Sequence, residues 1–161
     1  MDWNTLLRAV VSLAGLVLCF YTLHVEIHSA RDPSYKAMCD ISEHMSCTKA
    51  FNSKHGKGFG LVEPLLGKDS PLNLPNPVFG IGLYSLMFVL SFCRSSVAVL
   101  KFLTFNALAS CVMSCYLAYI LYLMQDVCVV CFSTYAVNFS LLALNYIKLR
   151  EVASLTKQKS E

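Results

Sequence analysis

Charge is what this chain of 161 residues has least of: 14% is Asp, Glu, Lys or Arg, against roughly a quarter in a soluble globular domain. The deficit is concentrated. Residues 9–25, 70–93, 102–125 and 127–147 contain no Asp, Glu, Lys or Arg. Each run is about long enough to cross a bilayer as a helix, which takes ~20 residues. Four such runs exclude a soluble fold. The expected fold class is an all-α membrane protein, a four-transmembrane-helix bundle forming a single integral membrane domain over 1–161. No small-x-small cleavage site follows Leu13–Leu23, so the first run reads as a span and not as a removed signal. The chain also lacks internal repeats and low-complexity tracts.

The runs place helix one at about 6–25, helix two at about 77–94, helix three at about 97–124 and helix four at about 127–147. Asn76-Pro77 suits an N-cap and a first helical turn for helix two, and Asp126 suits the N-cap of helix four. The short link Gln125-Asp126 makes helices three and four antiparallel neighbours. Segment 26–76 is the only sizeable polar stretch, broken by Gly56, Gly58, Gly60 and Gly67. It is too short for a core of its own. It is expected to cap the bundle, with Phe51, Phe59, Leu61, Val62, Leu65 and Leu66 turned toward the membrane surface.

The few charges set the orientation. With both termini in the cytosol, that side holds seven cations and three anions, and the opposite side six cations and seven anions. The loop 26–76 is then lumenal and the tail 148–161 cytosolic. Lys157-Gln-Lys159-Ser-Glu161 puts lysines three and five places from the end, the pattern of a dilysine signal for retrieval to the endoplasmic reticulum membrane. The same residues also fit a solvated basic tail behind a positive-inside helix. The net charge of +3 is accounted for by topology; the partner it implies is the lipid bilayer, with no nucleic acid.

Cys128-Val-Val-Cys131 opens the fourth apolar run. Two thiols at i, i+3 share one helix face, and a CxxC pair is a two-electron device. Helix N-terminal amides favour the reactive thiolate. The plainer reading, two small buried residues, suits Cys19, Cys93, Cys111 and Cys115 better. Tyr135, four residues beyond Cys131, lies on the same face and could donate a hydrogen bond to a ligand oxygen; bundle packing is its plainer role. Asn76, at the mouth level, could join it in gripping a carbonyl-bearing ligand. Cys39 and Cys47 form a second pair, plausible as a disulfide in an oxidising compartment. It reads either as a staple for the loop or as a shuttle passing electrons to Cys128. A zinc set of Cys39, His44, Cys47 and His55 lacks a usual ligand spacing, so no metal is expected. Gly56-Lys-Gly58-Phe-Gly60 lacks the ending of a phosphate loop and reads as tight turns. The sequon Asn138-Phe-Ser140 falls inside helix four and reads as idle.

These blocks together resemble the vitamin K epoxide reductase family, which includes a vertebrate paralogue. The likeness runs through Leu23-His-Val25, Arg31-Asp32, Cys39-Asp40, Ser46-Cys47, Gly56-Lys-Gly-Phe-Gly-Leu61, Leu72-Asn73, Asn76 with Phe79-Gly80, Tyr116-Leu-Ala118, and Cys128-Val-Val-Cys131 with Thr134-Tyr135. The resemblance implies a quinone pocket inside the bundle. Cys131 would be the thiolate that attacks vitamin K epoxide or quinone, and Cys128 would resolve the adduct. Cys47 would reduce the resulting disulfide, and Cys39 would take electrons from thioredoxin-like lumenal proteins. Asn76 and Tyr135 would bind the quinone oxygens, Phe51 and Phe79 would line the pocket, and coumarin anticoagulants would occupy it. No cofactor is bound permanently; vitamin K is the substrate and the disulfides carry the electrons. Position 55 is His where the family commonly has Trp, Thr48 replaces a frequent Ser or Ala, and Pro75 and Pro77 bracket Asn76. Two other readings compete with an epoxide reductase: the same wiring run backward to generate disulfides for folding clients, and a claudin-like four-span scaffold stapled by Cys39–Cys47.

Overall fold

The computed structural model describes residues 2–32, 34–42, 44–93 and 96–158. The order is α1 (Trp3–Arg31), α2 (Cys47–Asn52), a 3-10 turn (Gly58–Gly60), α3 (Val62–Leu66), α4 (Asn76–Phe92), α5 (Val97–Met124) and α6 (Val129–Gln158). No strand occurs among the described residues; two isolated bridges, Ser42 with Met45 and Lys57 with Pro75, tie loops only. Arg94 and the last three residues, Lys159 to Glu161, lie outside the described residues, and so does the dilysine pattern that needs them.

The helices α1, α5 and α6 are long and apolar enough to cross a membrane; α4, with 17 residues, is shorter. Their outer faces carry large apolar side chains in the open, such as Val10, Leu13, Val17 and Phe20 on α1 and Phe105, Leu108 and Val112 on α5. Apolar surface of that extent belongs against lipid. Two helices overrun the uncharged runs. Beyond Val25, α1 continues to Arg31 and stops at Asp32, whose extended backbone (φ −130°, ψ 107°) donates its N–H to His28 O. The residue before a proline avoids the helical region. Beyond Ile147, α6 continues to Gln158, and its added turns are laced by Lys148–Glu151 at 3.1 Å and by Arg150 over the Tyr146 ring. A helix ends where capping or proline ends it, not where the charge begins.

In the bundle, α1 packs along both α4 and α6, and α5 packs along α6. Close approach of α1 and α4 relies on glycine: a Cβ on Gly15 would sit 2.9 Å from the Tyr84 ring, and one on Gly80 would sit 2.5 Å from Cys19 Sγ. At one end of the bundle the Lys148 ammonium pairs with the Asp2 carboxylate, and Asn4 Nδ2 donates to Leu144 O at 3.2 Å. That pairing brings the start of α1 beside the Leu144–Lys148 turn of α6. Hydrogen bonds from Lys148 and Thr5, against a small opposing effect of burial, hold the Asp2 carboxyl down at about 2.

The segment between α1 and α4 covers the opposite end. Phe51 is buried in a core of Val25, Cys47, Leu121, Cys128 and Tyr135. It therefore packs into the bundle's end and does not face a membrane surface, whereas Leu65 and Leu66 remain exposed. Asp40 organises the segment. Its Oδ1 accepts from Ser46 Oγ (2.9 Å) and Thr48 N (3.0 Å), and its Oδ2 accepts from Thr48 Oγ1 (2.5 Å) and Ala37 N (2.8 Å). Partial burial alone would push this carboxyl up, but those four donors outweigh it and hold it below the ordinary range. Ser46 then caps α2, its Oγ accepting from Lys49 N, so that Cys47 is the first residue of that helix.

Two consequences are testable. Gly15→Val should lower the thermal unfolding midpoint, since overpacking a tight site costs about 1–3 kcal/mol. Gly82→Ala, where a Cβ meets nothing within 4 Å, should be neutral or stabilising by up to about 1 kcal/mol. Because the folded Asp40 carboxyl titrates below its unfolded value near 3.9, its contribution is complete above about pH 4 and is lost as pH falls through the lower folded value. In proteolysis of the 32–75 segment monitored against pH, Asp40→Asn should therefore raise cleavage at neutral pH and flatten the acid dependence.

Candidate redox site

Four of the eight cysteines are paired: Cys39 with Cys47, and Cys128 with Cys131. Cys19, Cys93, Cys111 and Cys115 are free. The bond between Cys39 and Cys47 removes both sulfurs from any thiolate ligand set. Their Cα atoms lie 5.8 Å apart, and those of Cys128 and Cys131 5.2 Å apart, both within the ordinary reach of a disulfide.

The two pairs touch. Cys47 Sγ lies 3.8 Å from Cys128 Sγ, and both residues are fully buried. Cys39 and Cys131, at the outer positions of the row, are partly exposed. Two hydrogen bonds from backbone N–H groups hold the contact: Ser46 N donates to the Asp126 side-chain Oδ1 at 3.1 Å, and Val127 N donates to His44 O at 2.9 Å. They stitch residues 44–46 to 126–127 immediately before each inner cysteine. Asp126 is thus not the N-cap of α6, as its sequence position suggests. Its Oδ1 also accepts from Val127 N at 3.0 Å, two residues short of the helix. Cys128 takes the capping position instead: its carbonyl accepts from Phe132 N at 3.0 Å and its sulfur accepts from Cys131 N at 3.2 Å. Cys131 lies in the first helical turn, where unpaired amides and the helix dipole favour a developing thiolate. At the other end of the row, the Tyr21 hydroxyl sits 3.7 Å from Cys39 Sγ.

A cavity of about 210 Å³ lies among α1, α4, α5 and α6, with residues of the 50–59 segment lining it as well. Its wall is mostly apolar. Cys131, Tyr135, Asn76, Phe51 and Phe79 all line it; Cys39, Cys47 and Cys128 do not. Asn76 is the first residue of α4, and its side chain does not cap that helix. Its Oδ1 accepts from Phe59 N at 2.8 Å and its Nδ2 donates to His55 O at 2.7 Å. These bonds pin a chain reversal in which Gly58, Phe59 and Gly60 all have positive φ (51°, 57° and 72°). At Phe59 that conformation is costly for a residue with a side chain. The Phe59 ring meets Phe79 at 5.3 Å, so the strained turn delivers an aromatic wall. The amide Nδ2 of Asn76 carries a second proton, for which no bond is seen among the described residues. Tyr135 meets Phe132 edge-on at 5.6 Å, and its hydroxyl has no hydrogen-bond partner among the described residues.

Deeper in, the Tyr84 hydroxyl donates to Asn138 Oδ1 (2.7 Å), and Asn138 Nδ2 donates to Ser114 Oγ (2.9 Å). This ladder joins α4, α6 and α5 across the cavity and leaves the sequon asparagine buried and bonded. Two further polar residues on the wall escape sequence reasoning. Glu26 is buried with both carboxylate oxygens unpaired, and His55 Nδ1 is buried and unpaired. Glu26 carried a signal, as the first Asp, Glu, Lys or Arg after an uncharged run; His55 carried its place in the zinc set and its departure from a common Trp, neither of which points to a cavity wall.

The profile of the Vitamin K epoxide reductase family matches residues 6–146. The chain is 44% identical over 147 residues to vitamin K epoxide reductase complex subunit 1 of Mus musculus, covering 91% of each chain. It is 42% identical over 146 residues to the Rattus norvegicus protein of the same description, covering 90% of each. A chain matched over most of its length by the profile, and by relatives of nearly equal extent, belongs to the vitamin K epoxide reductase family.

Proposed function

We propose that this membrane oxidoreductase reduces vitamin K epoxide to the quinone and the quinone to the hydroquinone, using protein dithiols as the reductant. One observation carries the reading: of the four paired cysteines only Cys131 lines the cavity, while its partner Cys128 touches Cys47 at 3.8 Å. The row runs from a partly exposed sulfur, through two buried ones, to a sulfur beside a binding space. A relay needs that order.

The electrons follow the row. A thioredoxin-like thiol attacks the accessible Cys39, releasing the Cys47 thiolate; a second thiol of the partner then frees Cys39. Cys47 attacks Cys128, forming a Cys47–Cys128 bond and expelling Cys131 as thiolate. Cys39 attacks Cys47, restoring Cys39–Cys47 and leaving Cys128 as thiol. Two electrons have moved inward. Cys131 then attacks the substrate carbon, and Cys128 attacks the Cys131 sulfur, giving reduced product and the Cys128–Cys131 disulfide. Asn76 and Tyr135 donate to the two ring oxygens, holding the ring against Cys131, with Phe51 and Phe79 against its faces. A coumarin anticoagulant, flat and bearing carbonyl oxygen, fits the same donors and walls. Burial of Cys47 and Cys128 keeps water and stray thiols from the central exchange.

The bundle's polarity supports an orientation. The Asp2–Lys148 end and the disulfide end lie opposite each other, which supports reading α1, α4, α5 and α6 as four crossings. The positive-inside balance puts both termini in the cytosol and the 26–76 segment in the lumen of the endoplasmic reticulum, where disulfides persist. A scaffold stapled by Cys39–Cys47 has no use for a sulfur on a cavity wall.

Membranes containing the protein should reduce vitamin K epoxide with either a small dithiol or a reduced thioredoxin-like protein. Cys131→Ser should abolish both reactions. Cys39→Ser should abolish the protein-driven reaction and spare much of the small-dithiol one; equal loss in both would return Cys39–Cys47 to the role of staple. Faster oxidation of the thiol protein by added quinone than reduction of epoxide would favour the reverse flow. Tyr135→Phe removes one donor worth about 0.5–1.5 kcal/mol. It should raise KM for epoxide by roughly two- to tenfold, measured by product formation.

A further inference from the structure

The cavity holds one carboxyl group that the relay leaves idle. Glu26 lies one turn before Ser29 on α1, and the Ser29 hydroxyl donates to Asn52 Oδ1 at 3.2 Å. Glu26 is therefore on the face of α1 that α2 covers. It is 5% exposed, it lines the cavity, and neither of its carboxylate oxygens has a hydrogen-bond partner. The charge of Lys57 reaches it, yet no ion pair joins the two among the described residues. A carboxylate buried without donors is costly unless it is protonated or meets a ligand.

Epoxide opening supplies a task for it. As the carbon–oxygen bond breaks, negative charge gathers on an oxygen held in a mostly apolar space. Cys131 cannot neutralise that oxygen, because it attacks as the thiolate. We propose that Glu26 is the proton donor to the departing oxygen and the acceptor of the Cys131 thiol proton before attack. This assignment rests on the function proposed above.

The step balances. With the inner pair reduced, the Cys131 thiol passes its proton to the Glu26 carboxylate, giving thiolate and carboxylic acid in the same cavity. The thiolate attacks one epoxide carbon: a C–S bond forms, a C–O bond breaks, and the oxygen takes the Glu26 proton to become a hydroxyl. Cys128 then attacks the Cys131 sulfur. The S–S bond forms, the C–S bond breaks, and its electron pair returns to the ring as a double bond, expelling the hydroxyl. The hydroxyl leaves as water with the Cys128 proton. Two thiols become one disulfide, the epoxide becomes quinone, and Glu26 returns to carboxylate. In the quinone step the same cycle protonates one ring oxygen.

The active form shares one proton between Glu26 and Cys131. Epoxide reduction driven by a small dithiol should therefore fall on both sides of a pH optimum. Other titratable or charged groups facing Glu26 are Lys57 and His55 from the covering segment, Tyr84 from α4, Tyr135 from α6 and Cys19 on its own helix. From α5 the cavity receives no titratable side chain.

The test measures small-dithiol epoxide reduction against pH in membranes with the unmutated protein, Glu26→Gln, Glu26→Asp and His55→Gln. Formation of the Cys128–Cys131 disulfide in each variant reports folding. Glu26→Gln should lose about 10²-fold or more at the optimum, the scale of a lost general acid. Its profile should rise with pH to a plateau, because the alkaline fall belongs to the acid and the acidic fall to the thiol. KM should change little. His55→Gln should keep the bell shape. An unchanged rate in Glu26→Gln, or an alkaline fall that survives it and disappears in His55→Gln, overturns the assignment. Should Glu26→Gln not fold, Glu26→Asp decides: a slower reaction with the bell retained supports it, and an undiminished rate overturns it. Absence of turnover by the unmutated protein would overturn the proposed function itself, an outcome distinct from normal turnover by Glu26→Gln.

Discussion

The site depends on a two-bond seam between segments 80 residues apart. Ser46 N on Asp126 Oδ1 and Val127 N on His44 O fix the start of α2 against the start of α6. The two donors adjoin the inner cysteines: Ser46 immediately precedes Cys47, and Val127 immediately precedes Cys128. Thiol–disulfide exchange demands direct contact between sulfurs, so a shift of one residue on either side would separate Cys47 from Cys128. Both seam bonds use backbone N–H groups, which tolerate little lateral movement. The Asp40 cluster supports the seam from outside by fixing Ser46, whose N–H enters the seam while its hydroxyl caps α2.

The cavity follows from uneven packing in the bundle. Where α1 meets α4, glycines bring the backbones together. Between α4 and α5, Tyr84, Asn138 of α6 and Ser114 form a chain of hydrogen bonds across the cavity. A buried polar ladder in hydrocarbon is stable when each member is satisfied, and here it holds the helices apart as well as together. The wall is thus a rigid frame with few free polar groups. On that wall Glu26, His55 Nδ1 and the Tyr135 hydroxyl have no hydrogen-bond partner among the described residues. Asn76 stands between the classes: its side chain maintains the strained Gly58–Gly60 turn, and one proton is left over.

Sequence reading went furthest where the signal is local. Long uncharged runs mark helices because burial in lipid excludes charge residue by residue. CxxC marks a redox pair because i, i+3 spacing is a property of one helix. It went astray at helix ends. Asp126 has the chemistry of an N-cap and stands beside a helix start, yet its carboxylate is claimed by Ser46, a partner no local pattern reveals. Asn76 likewise looks like a cap and instead ties down a loop. Phe51 looks like a membrane-facing residue of a polar segment and is instead buried against Cys47, Cys128 and Tyr135.

The sequence by itself determined the all-helical class, the apolar runs, the two cysteine pairs and the family. Those follow from composition, short spacing and the order of motifs, all carried along the chain. Tertiary structure alone decided which sulfur meets which, that Cys131 and not Cys128 faces the cavity, and that Glu26 shares that wall unpaired. These depend on contacts between residues tens of positions apart, and their geometry is set by the seam and by helix packing. The residue types permit them; only the fold brings Cys47 against Cys128 and puts Glu26 and Cys131 in one cavity.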